Sequence, residues 1–467
     1  MPAPPFKRIL VANRGEIAVR VIKACDRLGI ESVVAVSAVD RESLAARIAT
    51  RAVCIGPAPA LQSYLRPELM ITAAKGTGCE AIHPGYGFLS ERAQFSQLCA
   101  DAGITFIGPS PDAIAAMGDK ISAIEIAEKA GVPCVSGSGR IGGVSDARDF
   151  ARRHGYPVLI KASAGGGGRG MRVVRREPDM GHEIEAAAAE AQSAFGDPSL
   201  YVEKFIERAR HIEIQVLGDS HGNTVHLGER DCSTQRRHQK LIEEAPSPAI
   251  DAKLREDLAS AAIRLARGVA YTGAGTVEFV FDEDTRLWYF LEMNTRIQVE
   301  HPVTEMITGC DLVVEQIRIA AGAPISFTQR DVRLIGHAIE CRINAEDATH
   351  NFAPRPGRLA TWNAPTGTGI RVDTHCYPGY LVPPYYDSLL AKVIAHGATR
   401  AEAIERMSAA LERFEVTGVP TTAPFHRQVL AHDDFKSAKV TTRWVEDTFL
   451  VDTTTVTNQT AKDCASE

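Results

Sequence analysis

The sequence of 467 residues has few aromatic residues, no long apolar run and no paired cysteine pattern. No stretch approaches the roughly 18 uninterrupted apolar residues that a membrane-spanning helix needs. The ten cysteines are scattered, and none shows the close spacing of a zinc or redox motif, which argues against a zinc knuckle or a disulfide framework. We therefore expect a soluble cytoplasmic protein with mostly buried free thiols.

Excess positive charge is also absent. Lysine and arginine number 52 against 58 acidic residues, so the net charge is −6, and the chain has no global attraction for nucleic acid or anionic membranes. The most basic run, Arg230–Lys240, has no interleaved aromatic residues and is followed by Glu243 and Glu244. These features favour a cleft for small acidic molecules over a nucleic-acid surface.

The length predicts about three domains, and the pattern predicts an α/β and α+β multidomain fold. Residues 1–118 alternate short apolar strands with helices, which is typical of a doubly wound parallel sheet. The first turn, Asn13–Glu16, has one glycine, which argues against a dinucleotide site. We place a second domain at 119–330, an α+β domain at 331–447 and a polar, threonine-rich tail at 448–467.

A glycine run lies in the second region. Gly165, Gly167 and Gly170 match G-x-G-x-x-G, but the strand-like MRVV follows at once, so the run predicts a hairpin and not a helix start. Glycine amides can wrap a polyphosphate and move as a lid, with Lys161 at the end of the preceding strand. The alternatives are a mobile surface hairpin and a solvated lysine.

A second hairpin is predicted from Thr276–Phe281 and Leu287–Asn294. Glu278 faces Glu292 directly if paired residue numbers sum to 570, lies diagonal at 568, and lies on the other face for odd sums. Two carboxylates ~5 Å apart repel by about 3 kcal/mol at an effective dielectric of ~20. With Asn294 as a third oxygen donor, they predict a Mg²⁺ site. The alternative is one glutamate in a core salt bridge and one at an edge.

Alternation beyond Asn294 places Arg296, Gln298 and Glu300 on the same side if the chain stays extended. An arginine can hold a small planar anion at two points, and a nearby carboxylate can take a proton from it. The alternative is a minor surface ion pair between Arg296 and Glu300. Taken alone, His211, His238 and Arg342 are each read as structural.

The sequence resembles biotin carboxylase, the ATP-grasp subunit of acetyl-CoA carboxylase and its relatives, over about residues 6–447. The resemblance rests on the ordered stretches ANRGEIA, HPGYGFLSE, MGDK, IKASAGGGGRGMR, ERDCSTQRRHQK, EMNTRIQVEHPVTEM, ECRINAED and PPYYDSLLAKV. Two departures are Ala164, where glycine is usual, and Thr422, where asparagine is usual. We expect neither to touch the chemistry.

The resemblance implies a Rossmann-like N-terminal domain, an ATP-grasp domain with a mobile lid at about 134–206, and a C-terminal biotin carboxylase domain. Magnesium, or manganese, would be held by Glu278, Glu292 and Asn294. The implied ATP-binding residues are Lys120, Lys161, Gly167, Gly168, Glu203, Lys204, Phe205, Ile206, His211, Gln235, His238, Glu278 and Glu292.

The resemblance also implies the reaction. Bicarbonate would lie against Lys240, Arg296, Gln298, Val299 and Glu300. Glu300 would deprotonate it for attack on the γ-phosphate, and the resulting carboxyphosphate would break down to CO₂ and phosphate. The phosphate would then take the biotin N1′ proton, and Arg342 would stabilise the enolate-like ureido oxygen.

The implied partners are a biotin carboxyl carrier protein and carboxyltransferase subunits, in fatty acid biosynthesis through acetyl-CoA carboxylase or in a related pathway. No methionine neighbours a lysine, so we expect biotin to arrive on another protein and the chain to be a free-standing, homodimeric subunit. The rival enzyme class is an ATP-grasp carboxylate–amine ligase, which would not need Arg296, Glu300 and Arg342 together. A non-enzymatic rival is an ATP-binding regulatory protein.

Overall fold

The computed structural model describes residues 5–163 and 171–450. Its first region contains a parallel five-stranded sheet in the order β3-β2-β1-β4-β5. The strands are β1 (Arg8–Val11), β2 (Glu31–Ser37), β3 (Arg51–Gly56), β4 (Ala81–His83) and β5 (Thr105–Phe106). The helices are α1 (Gly15–Leu28), α2 (Leu44–Ile48), α3 (Pro67–Thr77), α4 (Ala93–Asp101) and α5 (Pro111–Gly118).

Alternation along β1 explains why helices cover both faces of this sheet. Ile9 and Val11 belong to the core that includes α1. Leu10, between them, belongs to a second core with Met70 of α3 and Phe95 of α4. Successive side chains of a strand point to opposite faces, so an apolar run of this kind is buried from both sides. The predicted doubly wound sheet is confirmed.

A four-stranded antiparallel sheet follows, in the order β6-β9-β7-β8. Its strands are β6 (Gly137–Arg140), β7 (Val158–Ala162), β8 (Arg172–Val174) and β9 (Leu200–Lys204), with helices α6 (Lys120–Lys129), α7 (Val144–His154) and α8 (Met180–Phe195). Because β7 and β8 pair antiparallel, the segment between them joins a hairpin, as predicted. The glycine run itself lies outside the described residues.

The largest sheet has eight strands in the order β14-β13-β10-β11-β12-β15-β22-β20. In chain order the remaining strands are β10 (Ala209–Gly218), β11 (Thr224–Arg236), β12 (Gln239–Ala245), β13 (Gly273–Asp282), β14 (Trp288–Asn294), β15 (His337–Asn344), β16 (Glu346–Asp347), β17 (Ala353–Pro354), β18 (Gly357–Arg358), β19 (Thr361–Asn363), β20 (Ile370–Thr374), β21 (Leu381–Val382), β22 (Leu389–Gly397) and β23 (Glu415–Thr417). The helices are α9 (Ala252–Gly268), α10 (His301–Thr308), α11 (Leu312–Ala320), α12 (Arg400–Arg413), α13 (Ala423–Ala431), α14 (Asp433–Lys436) and α15 (Trp444–Phe449). The sheet therefore runs continuously from the second predicted region into the third.

No helix within the described ranges has both the length and the apolar character required to span a bilayer. The cysteines in these ranges are free thiols, and most of them are buried, as predicted.

Candidate active site

One face of the eight-stranded sheet is apolar and the other carries charge. On β10, Ile212, Ile214 and Val216 pack into the core beneath α9. His211 and Glu213 alternate with them, so their side chains point to the opposite face. The same alternation on neighbouring strands collects the polar side chains of Arg230, Lys240, Glu278, Glu292 and Arg342.

The predicted carboxylate pair is present. Glu278 on β13 lies opposite Glu292 on β14, and Thr276 lies opposite Asn294, which is the register in which paired numbers sum to 570. A register shift begins immediately after Glu278, so the alignment holds at the end of the hairpin that carries the predicted metal ligands. The structure thus selects, from the registers that the sequence leaves open, the one in which the two glutamates face each other.

The two carboxylates have opposite electrostatic surroundings. Glu278 accepts hydrogen bonds from Gln298 Nε2 at 2.8 Å and Lys240 Nζ at 2.9 Å, and its Oε2 lies 3.0 Å from His211 Nε2. Although burial opposes it, Lys240 and His211 hold the pKa of Glu278 well below its usual range. Desolvation and then the charge of Glu278 raise the pKa of Glu292. A cation between the pair would relieve that repulsion.

The donor set fits a hard divalent ion. Two facing carboxylates and the amide oxygen of Asn294 are oxygen ligands of the kind that Mg²⁺ prefers. The Asn294 Oδ1 atom accepts from Arg296 Nη2 at 3.0 Å, while its Nδ2 atom is buried without a protein partner among the described residues. The side-chain amide is thus held by one contact and not by a closed network.

Lys240 lies at the centre of the charged face. Its ammonium is 2.6 Å from Glu300 Oε1, 2.7 Å from Glu213 Oε2 and 2.9 Å from Glu278 Oε1. Burial would lower the pKa of Lys240, but these three carboxylates raise it well above its usual value. Lys240 therefore stays charged and connects the carboxylate hairpin to the predicted base.

Glu300 is fully buried between two cations. Its second oxygen, Oε2, accepts from Arg342 Nη2 at 2.9 Å. Burial alone would raise the pKa of Glu300, but the charges of Lys240, Arg342 and Arg230 hold it far below its usual range. Arg342 is fixed in turn by Glu243, whose Oε1 accepts from Arg342 Nε at 2.6 Å. Glu300 is a carboxylate at neutral pH.

The sequence suggests either a small anion or Glu300 as the partner of Arg296, but in the structure its acidic partner is Glu91. Its Nε donates to Glu91 Oε2 at 2.8 Å and its Nη1 to Gln298 Oε1 at 3.2 Å. Within the described part of the chain, no hydrogen bond or ion pair joins Arg296 to Glu300. The condition of an extended chain does not hold, because residues 295–300 bend and turn before α10. The bend still directs Gln298 to Glu278 and Glu300 to Lys240.

The lysines assigned to ATP lie on the smaller sheet and at the start of α6. Lys161 on β7 pairs with Glu203 on β9. Burial and then the charge of Lys161 lower the pKa of Lys120, while Glu292 and Glu203 raise it. Helix α6, which begins at Lys120, packs against β14 of the carboxylate hairpin. Gly167, Gly168 and Ala164 lie outside the described residues.

The segment Glu203–Ile206 does not present every side chain to the cleft. Lys204 Nζ donates to the carbonyls of Gly155 and Tyr156 at 3.1 and 3.2 Å, so this side chain caps the end of α7. The Phe205 amide donates to Pro157 O at 3.2 Å. Phe205 and Ile206 are half-buried.

Gln235 and His238 lie at the hairpin between β11 and β12. Gln235 is buried, and its Nε2 donates to Cys232 O at 3.2 Å. His238 adopts a φ of 64°, in the left-handed region, because it forms the tight turn that leads to Lys240. Burial lowers the pKa of His238, which favours a neutral ring.

Thr422 contacts the main chain of Arg342, a contact that the sequence did not predict. Its hydroxyl donates to the carbonyl of Arg342 at 2.8 Å and accepts from the Asn344 amide at 3.0 Å. His426 Nε2 lies 2.7 Å from the same carbonyl. The start of α13 thus holds the main chain that carries Arg342.

Three acidic residues that the sequence reasoning missed are essential to this geometry: Glu91, Glu213 and Glu243. Glu213 shows a recognisable signal, since it alternates with His211 and Gln215 along a strand whose other face is apolar. Glu243 lies just after the basic run. In the sequence it only argues against nucleic-acid binding, and nothing there indicates a contact with Arg342. Glu91 gives no local signal, because its partner Arg296 is 205 residues away.

Comparison with known families gives three consecutive matches. The family model "Biotin carboxylase, N-terminal domain" matches residues 5–114, "Carbamoyl-phosphate synthase L chain, ATP binding domain" matches 119–328, and "Biotin carboxylase C-terminal domain" matches 340–447. Together they account for most of the chain.

Individual relatives agree over nearly the full length. The chain is 54% identical to biotin carboxylase 1 of Bacillus subtilis (strain 168) over 442 residues, covering 94% of this chain and 98% of the relative. It is 51% identical to the biotin carboxylase of Haemophilus influenzae over 443 residues, covering 94% and 98%.

Solved structures share the fold. A biotin carboxylase–beta-gamma-ATP complex from Campylobacter jejuni superimposes with a TM-score of 0.91 at 44% identity, covering 95% of this chain and 99% of that one. The biotin carboxylase domain dimer of the Hydrogenobacter thermophilus 2-oxoglutarate carboxylase, in complex with MgADP, ADP and bicarbonate, gives 0.90 at 50% identity, with 95% and 97% covered.

Proposed function

Because the chain belongs to the biotin carboxylase family, we propose that it carboxylates biotin with bicarbonate at the expense of ATP. The observation that carries the proposal is the position of Lys240, whose single ammonium contacts both Glu278 and Glu300. The hairpin that we propose as the metal site and the proposed base are therefore adjacent, as a reaction between an anion and a nucleotide phosphate requires.

Bicarbonate is proposed to bind where cations converge. Arg296 offers a planar guanidinium oriented by Glu91, Gln298 and Asn294. Lys240 contributes a second charge and donates to the same Glu278 oxygen as Gln298. An arginine fork matches a planar anion at two points. Val299 supplies main-chain groups at the same bend. The anion would compete with Glu300 for Lys240 and Arg342.

That competition gives Glu300 its basicity. While Lys240 and Arg342 both hold it, the carboxylate is a weak base. Sharing these cations with bicarbonate weakens their hold, and the pKa of Glu300 rises toward its ordinary value. Glu300 then takes the hydroxyl proton of bicarbonate, whose oxygen forms a bond to the γ-phosphorus as the bond to ADP breaks. The products are carboxyphosphate and ADP.

Carboxyphosphate breaks down to CO₂ and phosphate, the phosphate takes the N1′ proton of biotin, and the deprotonated N1′ forms a bond to the carbon of CO₂ to give carboxybiotin. Arg342 is proposed to stabilise the negative ureido oxygen, since its guanidinium lies at the end of the charged face next to Glu300. Magnesium, held by Glu278, Glu292 and Asn294, would neutralise charge on the nucleotide phosphates.

We also propose the nucleotide contacts and the domain division. Lys120, Lys161, Gly167, Gly168, the Glu203–Ile206 stretch, His211, Gln235 and His238 would bind ATP, with residues 134–206 as a lid. The boundaries 1–118, 119–330 and 331–447 stay predictions. Biotin would arrive on a separate carrier protein, a carboxyltransferase would use the product, and two copies of the chain would pair as a homodimer.

The test measures turnover with free biotin. The purified chain is incubated with ATP, Mg²⁺ and bicarbonate, and carboxybiotin and ADP are quantified with and without biotin. We expect biotin to stimulate ADP release and carboxybiotin to form. Stimulation by an amine and not by biotin would show a carboxylate–amine ligase instead. Nucleotide binding without turnover under any of these conditions would show a regulatory protein.

A further inference from the structure

Lys392 is a lysine without exposed surface that the reaction described above does not use. It lies on β22, directly opposite Arg342 on β15, and its side chain is 0% exposed. Its ammonium donates to the carbonyl of Val299 at 2.8 Å, and it lies 3.1 Å from Glu16 Oε1 and 4.0 Å from Asp373 Oδ2. A buried ammonium is tolerated only with well-placed partners, since its removal from water is unfavourable. The two short contacts therefore define its role.

The Val299 carbonyl belongs to the peptide bond that leads into the proposed base. Glu300 has φ −80° and ψ 8° and directly precedes α10, so a rotation of this peptide would swing its carboxylate out of the site. The neighbouring Gln298 carbonyl is held by His301 Nδ1 at 2.7 Å. Lys392 and His301 together fix two successive carbonyls of the bicarbonate-binding bend.

The second partner of Lys392 leads away from the bend. Glu16, at the start of α1, accepts a hydrogen bond from the Tyr86 hydroxyl through the oxygen that faces Lys392. Glu16, Tyr86, His375 and Asp387 line a cavity of about 150 Å³. Glu16 Oε2 and His375 Nδ1 are buried there without a protein partner among the described residues.

Glu16 in the cavity wall contacts Lys392, and Lys392 lies opposite Arg342 in the β15–β22 pair. The charge of Arg342 acts on the Tyr86 hydroxyl, although burial and the charge of Glu16 dominate and raise its pKa well above its usual value. A continuous set of contacts therefore runs from the cavity wall through Tyr86, Glu16 and Lys392 to the peptide before the base.

We propose that Lys392 is a positioning residue that fixes the Val299–Glu300 peptide and couples it, through Glu16, to Tyr86 and the cavity. This inference rests on the proposed function, because it assigns Lys392 to the bicarbonate step of that reaction. A ligand that displaces Tyr86 would remove its hydrogen bond to Glu16. The contact of Glu16 with Lys392, and with it the hydrogen bond from Lys392 to Val299, would then change.

The test uses the full chain with Lys392→Met, which keeps the aliphatic stem and removes the ammonium. ATP hydrolysis with free biotin is measured against bicarbonate and against ATP. We expect the KM for bicarbonate to rise about tenfold or more with the KM for ATP within about twofold. An unchanged KM for bicarbonate, or equal rises in both constants, would overturn the proposal. Lys253→Met, at an 84% exposed lysine on α9, is the matched control.

The coupling is tested by a double-mutant cycle with Tyr86→Phe. If Tyr86 acts through Lys392, the KM for bicarbonate in the Lys392→Met/Tyr86→Phe double variant should rise about as much as in the more affected single variant. If the rise in the double variant equals the product of the two single-variant rises, the two residues act independently and the proposed coupling is overturned. Should Lys392→Met not fold, Glu16→Gln tests the same chain: a selective rise in the bicarbonate KM supports it, and wild-type constants contradict it. Failure of the proposed function would instead appear in the wild-type enzyme, as no stimulation by biotin.

Discussion

At the scale of single residues, the site depends on cations that restrain a carboxylate until substrate arrives. Glu300 is held by Lys240 and Arg342, and each cation has a second acidic partner, Glu213 or Glu243. The excess of acid fixes the cations in place, so the anionic substrate meets an arrangement that already exists.

Glu300→Gln should leave nucleotide binding within about twofold of the wild type and lower carboxylation by about 100-fold or more, because the amide cannot accept the proton. ATP affinity is measured by calorimetry and carboxybiotin by its formation rate. Glu256→Gln, at an exposed residue of α9, serves as control. Comparable turnover in the Glu300 variant would contradict the base assignment.

At the scale of secondary structure, strands and helices hold one another at points where charge is buried. Strand β15 pairs with β12 as far as Cys341, opposite Ile242. Beyond that point the Arg342 carbonyl is satisfied by the first turn of α13 instead. The helix replaces a lost strand partner at Arg342, the residue that we propose stabilises the ureido oxygen.

Thr422→Val should therefore lower thermal stability, by about 1–2 kcal/mol, and lower carboxylation more than nucleotide binding. The substitution removes the acceptor of the main-chain N–H of Asn344 and one of the hydrogen-bond donors to the main-chain carbonyl of Arg342. Differential scanning calorimetry and carboxybiotin assays check this. Thr422→Ser keeps the hydroxyl and should behave like the wild type. Equal stability of the valine and serine variants would argue against the hydroxyl contact.

Glu244 joins β12 to β15 and α12. It lies 2.7 Å from His337 Nε2 and accepts from Arg400 Nε at 2.6 Å. Burial would raise its pKa, but the His337 hydrogen bond and the Arg400 charge lower the pKa of Glu244 to about 2. A lowered carboxyl pKa stabilises the fold above the unfolded value of about 4.3, and this contribution is lost as the pH falls toward 2.

Glu244→Gln should consequently destabilise the protein at pH 7 by about 3 kcal/mol, with a difference from the wild type that narrows below about pH 4. Urea midpoints across pH 3–7 measure the difference. Glu256→Gln provides a surface comparison with no expected pH trend. If the difference in unfolding free energy between Glu244→Gln and the wild type is the same from pH 3 to pH 7, the charge of the Glu244 carboxylate does not contribute to stability.

At the scale of the whole molecule, the nucleotide is expected to join the two sheets. The charges of Lys161, on the four-stranded sheet, and of Glu292, on the eight-stranded sheet, both affect the pKa of Lys120. A ligand that binds only the folded state stabilises it by about 2.7 kcal/mol at 100 times its Kd.

ATP with Mg²⁺ should thus raise the melting temperature more than ATP with EDTA. In Glu292→Gln the difference between these two conditions should shrink, because one of the metal carboxylates is lost. Thermal shift measurements with each nucleotide form check this. A full magnesium-dependent shift in the variant would remove Glu292 from the metal site.

The distance along the chain decides what could be predicted. The Glu278–Glu292 pair was predictable because a short turn joins two strands of obvious periodicity. The contacts of Lys392 with Val299 and of Arg296 with Glu91 span 93 and 205 residues, and no local pattern reports such separations. The family resemblance supplied the roles of Arg342 and Glu300, but neither it nor the periodicity indicated which acids fix them.

The continuous eight-stranded sheet also limits how the chain can be divided. The match to the ATP binding family ends at residue 328, and the match to the C-terminal family begins at residue 340, inside β15. Strands β12 and β15 are direct neighbours, with Glu243 opposite Glu340. A fragment cut between the two matched regions would expose the unpaired main-chain amides and carbonyls of a new edge strand to solvent, and such edges promote aggregation. It would also part Arg342 from the acid that steadies it, so recombining halves from different homologues requires cutting elsewhere.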